Sequence, residues 1–563
     1  MSILQFKTAN CKNCYKCVRY CPVKSIKVEN HQAKIIEQDC ILCGNCTTIC
    51  PQNAKEDISD IPKIKAVMTE KKLVAAIAPS FSAYFGGCGF ADMSKALKSL
   101  GFFAVRETAE GAYIVKTRYE KDELSAGDEP VISSCCATID LLIEKYYPLA
   151  LKYLSPIQTP MQVHSQLLRR EYLEAAIVFI SPCISKKSEC SDGVGADYCI
   201  TFDELEDWFA EAGVNIEQSQ NTEKAMFTRQ FPMSGGVLGS MKKTAGRSYL
   251  FVDGIEKCRS ALDEIISGGL RGCFVEMNAC EGGCIGGPSF RRKKMSGLTS
   301  RLFTEKTAGD DYSSDFNIDY PYPIDREIVD MSAHRRTPGE KQIQGILKKM
   351  GKLTPADELN CGMCGYSSCR EKALAVYEGK AEISMCMPLM KERAETLSDS
   401  ILSITPNAII AVDMDLNISQ LNAAACRMFS VTPQQAAGMP VSEILDEFDF
   451  VEMIAGEKTA MTKHSYLAQY NIYIEQEFRF DKATGIVICI MKNITQSRQR
   501  HNNVMKAKVQ AANMADEIVE KQLHVVHEIA ALLGETAAET KAAVHNLKET
   551  IMMDSEDGGG DER

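Results

Sequence analysis

Residues 11 to 22 read Cys-x-x-Cys-x-x-Cys-x-x-x-Cys-Pro, and residues 40 to 51 repeat that spacing about 29 positions later. What such a run builds depends on whether its thiols stay reduced, because reduced clusters of cysteine mean metal rather than disulfides. The N-terminus carries Gln5, Lys7 and Asn10 where a signal peptide would place an apolar core, and no apolar stretch is long enough to span a bilayer. A cytoplasmic location is therefore expected, with the 24 cysteines reduced. The net charge of -11 argues against nucleic acid or an anionic membrane as partner, since both favour a basic surface. At 563 residues, 45% apolar and 25% charged, the chain has room for roughly three to five globular domains.

The doubled run resembles that of bacterial two-cluster ferredoxins. Over residues 1–57 the resemblance implies a ferredoxin-like α+β domain with two [4Fe-4S] clusters, the fourth cysteine of each run crossing to the other cluster. Cys11, Cys14, Cys17 and Cys50 then hold one cluster, and Cys40, Cys43, Cys46 and Cys21 the other. A pair of zinc knuckles is the alternative, although zinc needs neither the Cys-Pro ending nor a third cysteine at this spacing. Clusters of this kind carry electrons.

From about Lys72 apolar runs such as Leu73 to Ala78 and Ala176 to Ile180 alternate with helical stretches like Leu141 to Tyr147. That pattern predicts α/β units whose strand-end loops carry the chemistry. Three such loops are cysteine-bearing: Ser133-Ser-Cys-Cys136, Ser181-Pro-Cys-Ile-Ser-Lys-Lys-Ser-Glu189, and Glu276-Met-Asn-Ala-Cys-Glu-Gly-Gly-Cys-Ile-Gly-Gly287. Glycines at 282, 283, 286 and 287 would let backbone approach a bulky cluster where a Cβ would obstruct.

Together the three loops resemble the active-site motifs of [FeFe]-hydrogenases. The resemblance implies a catalytic domain over 70–345, in which Cys136, Cys183, Cys280 and Cys284 bind one [4Fe-4S] cluster. Cys284 also bridges to a di-iron subsite carrying CO, cyanide and a dithiolate amine, the whole forming the H-cluster. Lys186 matches a lysine donating to iron-bound cyanide, and Cys135 a thiol that passes protons to the amine. Glu107 and Glu110, read as three apart on one helix, and Ser155 match the outward proton relay. Glu189 is expected to be an ion-pair partner. Several flanks depart from the family. Ala137-Thr-Ile139 replaces Pro-x-Trp, Ser181 and Asn278 replace methionines, Pro288 interrupts the usual glycine run, and Ile114 stands where an arginine is expected. These changes leave the ligands intact and alter the surroundings that tune potential. Cys88, Cys190, Cys199, Cys258, Cys273, Cys426 and Cys489 lack ligand spacing and read as small core hydrophobes.

Cys361-x-x-Cys364-Gly-x-x-x-Cys369 followed by Cys386 resembles a small [4Fe-4S] domain attached to redox enzymes, here a helical module over 346–392 with zinc as the alternative. Residues 399–497 resemble a PAS α+β domain in the strand Ile409 to Asp415, the asparagine-headed helix from Asn422 and the terminal Ile490 to Ile494. No PAS cofactor is indicated, and His464 reads as a surface-turn histidine. Residues 498–563 read as a helix with an irregular apolar stripe suited to a homodimer, ending in a disordered acidic tail from Asp554. His527-Glu528 resembles a kinase phospho-acceptor helix, but too little chain follows for an ATP-binding domain.

The expected protein is thus a multidomain α/β oxidoreductase interconverting H2 with protons and electrons. Electrons would come from ferredoxin or a similar low-potential carrier, and hydrogenase maturation proteins would install the di-iron unit. The alternative is a slow H2 or redox sensor signalling through the PAS domain, and a third reading is an electron-transfer hub with no di-iron unit.

Overall fold

The strand Leu73–Ile77 is buried along its whole length, as are Ala176–Ser181 and Cys273–Asn278. Strands apolar on both faces belong in parallel sheets covered by helices on either side. A computed structural model of the chain shows two such sheets. It describes residues 3–7, 10–123, 127–190, 193–217, 219, 224–309, 315–332, 338–456, 459–533 and 544–550, without the side chains of 123, 398–399 and 527–533. The chain divides into two compact units, Met1–Met390 and Lys391–Arg563.

In the first unit one sheet runs in the order Ala104–Glu107, Leu73–Ile77, Ala176–Ser181, Tyr198–Thr201, with every pairing parallel. The other runs Ser248–Asp253, Cys273–Asn278, Val131–Ile132, again parallel. The helix Ala109–Glu123 lies against Pro160–Glu171, and Gly111 permits the approach, since a Cβ there would stand 2.3 Å from the Pro160 carbonyl oxygen.

Ahead of the sheets, two antiparallel pairs, Leu4–Phe6 with Lys55–Asp57 and Ile26–Glu29 with Gln32–Ile35, flank the doubled cysteine run. Each run bends through left-handed backbone at its third and fifth positions, Asn13 (φ 55°) and Tyr15 (φ 56°) in the first, Leu42 (φ 54°) and Gly44 (φ 72°) in the second. Alternating right- and left-handed residues turn successive N–H groups to one side, a concavity suited to an anionic cluster. Behind the sheets, the helices Glu340–Lys349 and Cys369–Tyr377 frame the third cysteine group.

The second unit holds a five-stranded antiparallel sheet in the order Ile418–Leu421, Ala408–Val412, Ile486–Asn493, Ile472–Asp481, Ala460–Leu467. Asn422 caps the helix Ala423–Phe429, its Oδ1 accepting from the Ala425 N–H at 2.9 Å. His464 lies on the edge strand, facing Glu475 at 3.4 Å, rather than in a turn, because the chain stays extended there to pair with Ile472–Asp481. A helix runs Thr495–Leu533; the expected disordered tail from Asp554 and the side chains of His527 and Glu528 lie outside the described residues.

Candidate functional site

The first and third cysteine loops leave adjacent parallel strands, since Ile132 is in register with Val275. The second loop leaves the other sheet at Ser181. All three therefore sit at the carboxyl ends of parallel strands, where α/β folds gather their ligand sites. Cys136 stands at the N-cap of the helix Ala137–Tyr146, and the Cys183 N–H donates to Ser181 Oγ at 3.3 Å, so the serine braces the Cys183 loop. Asn278 donates from Nδ2 to Glu276 Oε1 at 2.7 Å, which gives a role to that departure too. Pro288 starts a helix and packs on Gly44, and Ile114 is simply core.

The glycines of the third loop serve packing more than open approach. A Cβ at Gly283 would lie 2.4 Å from the Pro232 carbonyl oxygen, and one at Gly286 would lie 1.9 Å from that of Glu281. Only Gly282, at φ 80°, faces open space.

Burial pushes the Cys136 thiol up to about 11 and Cys280 up to about 12; the charge of Cys183 adds to the effect at both, and that of Cys136 at Cys280. Cys284 retains accessible surface yet rises well above the ordinary thiol range, through burial and then the charges of Cys183, Cys136 and Cys280. Four thiols that resist ionisation together need a strongly cationic centre to become ligands. Among the described residues no three such side chains converge on a single ion. The side-chain oxygens of Ser133 and Ser185, buried in the first and second loops, have no hydrogen-bond partner and are further polar groups beside these thiols.

Lys186 Nζ contacts Glu189 Oε1 at 2.6 Å and the Cys135 carbonyl at 3.5 Å, and Thr159 Oγ1 donates to Glu189 Oε2 at 2.6 Å. Burial alone would lower the lysine's pKa, but the Glu189 carboxylate more than offsets it and keeps the ammonium charged. Cys135 is half-buried, and desolvation pushes it up to about 12. Its thiol lies 3.5 Å from the hydroxyl of Tyr119, a fully buried residue of the helix Ala109–Glu123. That hydroxyl is also 2.9 Å from Ser134 Oγ and accepts from the Ser134 N–H at 2.9 Å, while Ser134 Oγ donates to the Ile157 carbonyl at 2.5 Å. Sequence reasoning passed over Tyr119; its only signal was an aromatic on the inner face of that helix.

The glutamates are placed differently from the expectation. Glu107 ends a strand and Glu110 opens the next helix, so they do not share one helix, because the chain turns at Thr108 to leave the sheet. Glu107 accepts from Arg229 Nε at 2.7 Å, with a second contact from the same guanidinium. Glu110 accepts from Arg106 Nε at 2.9 Å and lies 3.6 Å from His164; burial raises its pKa, but His164 and Arg106 bring it below the usual range. The Ser155 hydroxyl accepts from the Ile157 N–H at 3.3 Å.

The other cysteines gather in three groups. Cys11, Cys14, Cys17 and Cys50 line one cavity, Cys21, Cys40, Cys43 and Cys46 a second, and Cys361, Cys364, Cys369 and Cys386 a third, each of about 20 Å³. Lys55 is buried between the first two. Among the described residues no helix is long and apolar enough to cross a membrane.

Family models match along the chain: the iron only hydrogenase large subunit, C-terminal domain, at 71–250 and 245–288; a 4Fe-4S dicluster domain at 3–67; an Fe-S cluster domain at 357–388; and the PAS fold at 396–512. The chain is 23% identical over 322 residues to an NADP-reducing hydrogenase subunit of Solidesulfovibrio fructosivorans, covering 44% of this chain and 55% of that protein, so it spans about half of this relative's length. It is 24% identical over 364 residues to the periplasmic [Fe] hydrogenase large subunit of Nitratidesulfovibrio vulgaris, covering 51% of this chain and 86% of the relative. It is also 24% identical over 185 residues to a cytosolic Fe-S cluster assembly factor of Kluyveromyces lactis, covering 29% of this chain and 38% of that protein.

Proposed function

Since the chain carries the C-terminal domain of the iron-only hydrogenase large subunit beside 4Fe-4S and PAS domains, we propose that it interconverts H2 with protons and electrons. One observation carries the reading: four thiols that raise one another's pKa, a charged, half-buried lysine and a further thiol meet at strand ends drawn from two sheets. In this reading Cys136, Cys183, Cys280 and Cys284 hold the H-cluster, which when bound supplies the redox-active irons. Lys186 presents a fixed ammonium to an anionic ligand in a water-poor pocket. Glu189 keeps that ammonium charged and aimed.

Cys135 moves the proton. Its nearest hydroxyl is Tyr119, whose partner Ser134 continues the hydrogen-bonded chain. We assign the first step of the proton route to this pair. Glu107, Glu110 and Ser155 are assigned to the outer part of the route. Electrons enter from a ferredoxin-like or similar carrier through Cys11, Cys14, Cys17, Cys50 and then Cys21, Cys40, Cys43, Cys46, the latter group lying nearer the catalytic loops through the Gly44 contact with Ile184 and Pro288.

A slow sensor is the second reading, and the arginine clamps favour it. A carboxylate held by a guanidinium stays ionised and passes a proton poorly. Similarity to an assembly factor also keeps open an iron-sulfur role without the di-iron unit, which would show neither CO nor cyanide bands in the infrared. The test of the enzyme reading is Cys135→Ala. We expect at least a hundredfold loss of H2 turnover with all clusters retained, and unchanged turnover would remove Cys135 from the proton route.

A further inference from the structure

The second cysteine loop carries two consecutive lysines, and neighbours on a helical turn point to different sides. Lys186 turns toward Glu189 and the Cys135 carbonyl, whereas Lys187, only 7% exposed, reaches the ferredoxin module. Its Nζ stands 2.8 Å from Asp57 Oδ2, 2.9 Å from Glu204 Oε2 and 2.8 Å from the Ile58 carbonyl oxygen, so acceptors surround the ammonium. Asp57 ends the strand Lys55–Asp57. Glu204 lies in the first turn of the helix Phe202–Ala212, where it also accepts from the Thr201 N–H at 2.6 Å.

Asp57 has a second cationic partner. Its Oδ1 accepts from Arg292 Nη2 at 3.0 Å, and Arg292 belongs to the helix Pro288–Lys293, which follows the loop of Cys284. Arg292 Nη1 and Ser289 Oγ both bond Asp203, the neighbour of Glu204. One buried carboxylate of the ferredoxin module thus bridges the second and third cysteine loops. Burial would raise the Asp57 pKa, but Lys187 and Arg292 bring it below the usual range; burial raises that of Glu204 despite Lys187, and the Asp57 charge adds to the rise. Asp57 is therefore the firmer anion of the two. The turn Lys186–Glu189 spans four residues, too few to hold itself helical, so its side-chain anchors decide where it stands.

We propose that Asp57 is a positioning residue of the catalytic site: through Lys187 it fixes the turn that aims Lys186, and through Arg292 the helix that follows the Cys284 loop. The proposal rests on the reading that Cys183 and Cys284 hold the H-cluster. Removing one partner of a buried charge pair leaves the other uncompensated, and the segment that carries it moves to find a new partner or water. Lys186 shares that segment's backbone, so loss of the Asp57 charge displaces its ammonium while every thiol ligand remains.

The experiment compares wild type with Asp57→Asn, which keeps the side chain's shape and removes its charge, in full-length, anaerobically matured protein. Three quantities are read: the infrared bands of iron-bound cyanide, deuterium uptake at the amides of 184–189, and the resonance signals of the N-terminal clusters. At unchanged iron content we expect the cyanide bands to move, uptake at 184–189 to quicken roughly tenfold, and the N-terminal signals to stay. Unmoved bands or unchanged uptake would overturn the proposal even if the melting temperature falls, because a contact that serves stability alone leaves the site as it was. Arg292→Gln is the milder variant, since that side chain is half-buried. It should quicken uptake at 288–293 and spare 184–189. If Asp57→Asn does not hold its iron, unchanged uptake at 288–293 in Arg292→Gln overturns the proposal. Wild-type protein replete in iron but without cyanide bands would instead contradict the catalytic reading, and the proposal with it.

Discussion

Between residues 11 and 50 each cysteine group takes three members from one loop, whereas Cys136, Cys183 and Cys280 leave three strands in two sheets. The loops carry their geometry in their own backbone, through left-handed residues at matching positions. The thiols at 136, 183 and 280 have no such local device. Their spacing is inherited from strand register and from glycines pressed against neighbouring backbone. A site assembled this way can keep its ligands while the groups around them change, which is the pattern of the departures at Ser181, Asn278 and Pro288.

The comparison can be broken most severely at Cys284. In Cys284→Ala, H2 evolution should fall to background while the resonance signals of the N-terminal clusters persist; loss of those signals as well would show that the two regions do not assemble independently. Next in size is Tyr119→Phe, which removes one buried hydroxyl and leaves the ring. We expect roughly a tenfold loss of turnover with a changed pH–rate profile, and a stability cost of only about 1 kcal/mol. An unaltered rate and profile would remove Tyr119 from the proton route.

Smaller effects concern stability. Burial raises the Glu276 carboxyl to about 7, although the N–H groups of Gly235 and Leu238 and the Asn278 amide donate to it. The folded protein therefore binds that proton more tightly than the unfolded chain does. Its contribution is full below the ordinary carboxylate range and is lost as pH rises to about 7, by up to about 3 kcal/mol. Thermal melts of Glu276→Gln between pH 5 and pH 8 should decline less steeply than those of the wild type; parallel declines would contradict the assignment. Gly44→Ala should cost on the order of 1–3 kcal/mol, because Gly44 has φ 72° and an added Cβ would stand 2.6 Å from Pro288 Cγ. A denaturant melt that does not move would mean the loop and the catalytic domain do not depend on that contact.

The same contrast explains what the sequence made legible. Cysteine groups with contiguous spacing stand out in the sequence, and the crossing of Cys21 and Cys50 was implied by the resemblance; Cys50 lines a cavity with Cys11, Cys14 and Cys17, and Cys21 one with Cys40, Cys43 and Cys46. The all-buried strands at Leu73 and Ala176 were legible as apolar runs. Tyr119 was not, because its closeness to Cys135 arises where a helix from one segment meets a loop from another, and no spacing encodes it. The Glu107 and Glu110 pair was misplaced for a related reason: three-residue spacing suits a helix, but the strand ends between them. Arg229, far along the chain, then claims Glu107.

The central claim is that the four thiols at 136, 183, 280 and 284 hold a hydrogen-converting centre. Its most direct test is H2 evolution from a chemically reduced viologen by anaerobically matured protein, with the infrared spectrum taken on the same sample. The account predicts bands of iron-bound CO and cyanide together with sustained evolution. Absence of both bands from protein replete in iron would contradict it.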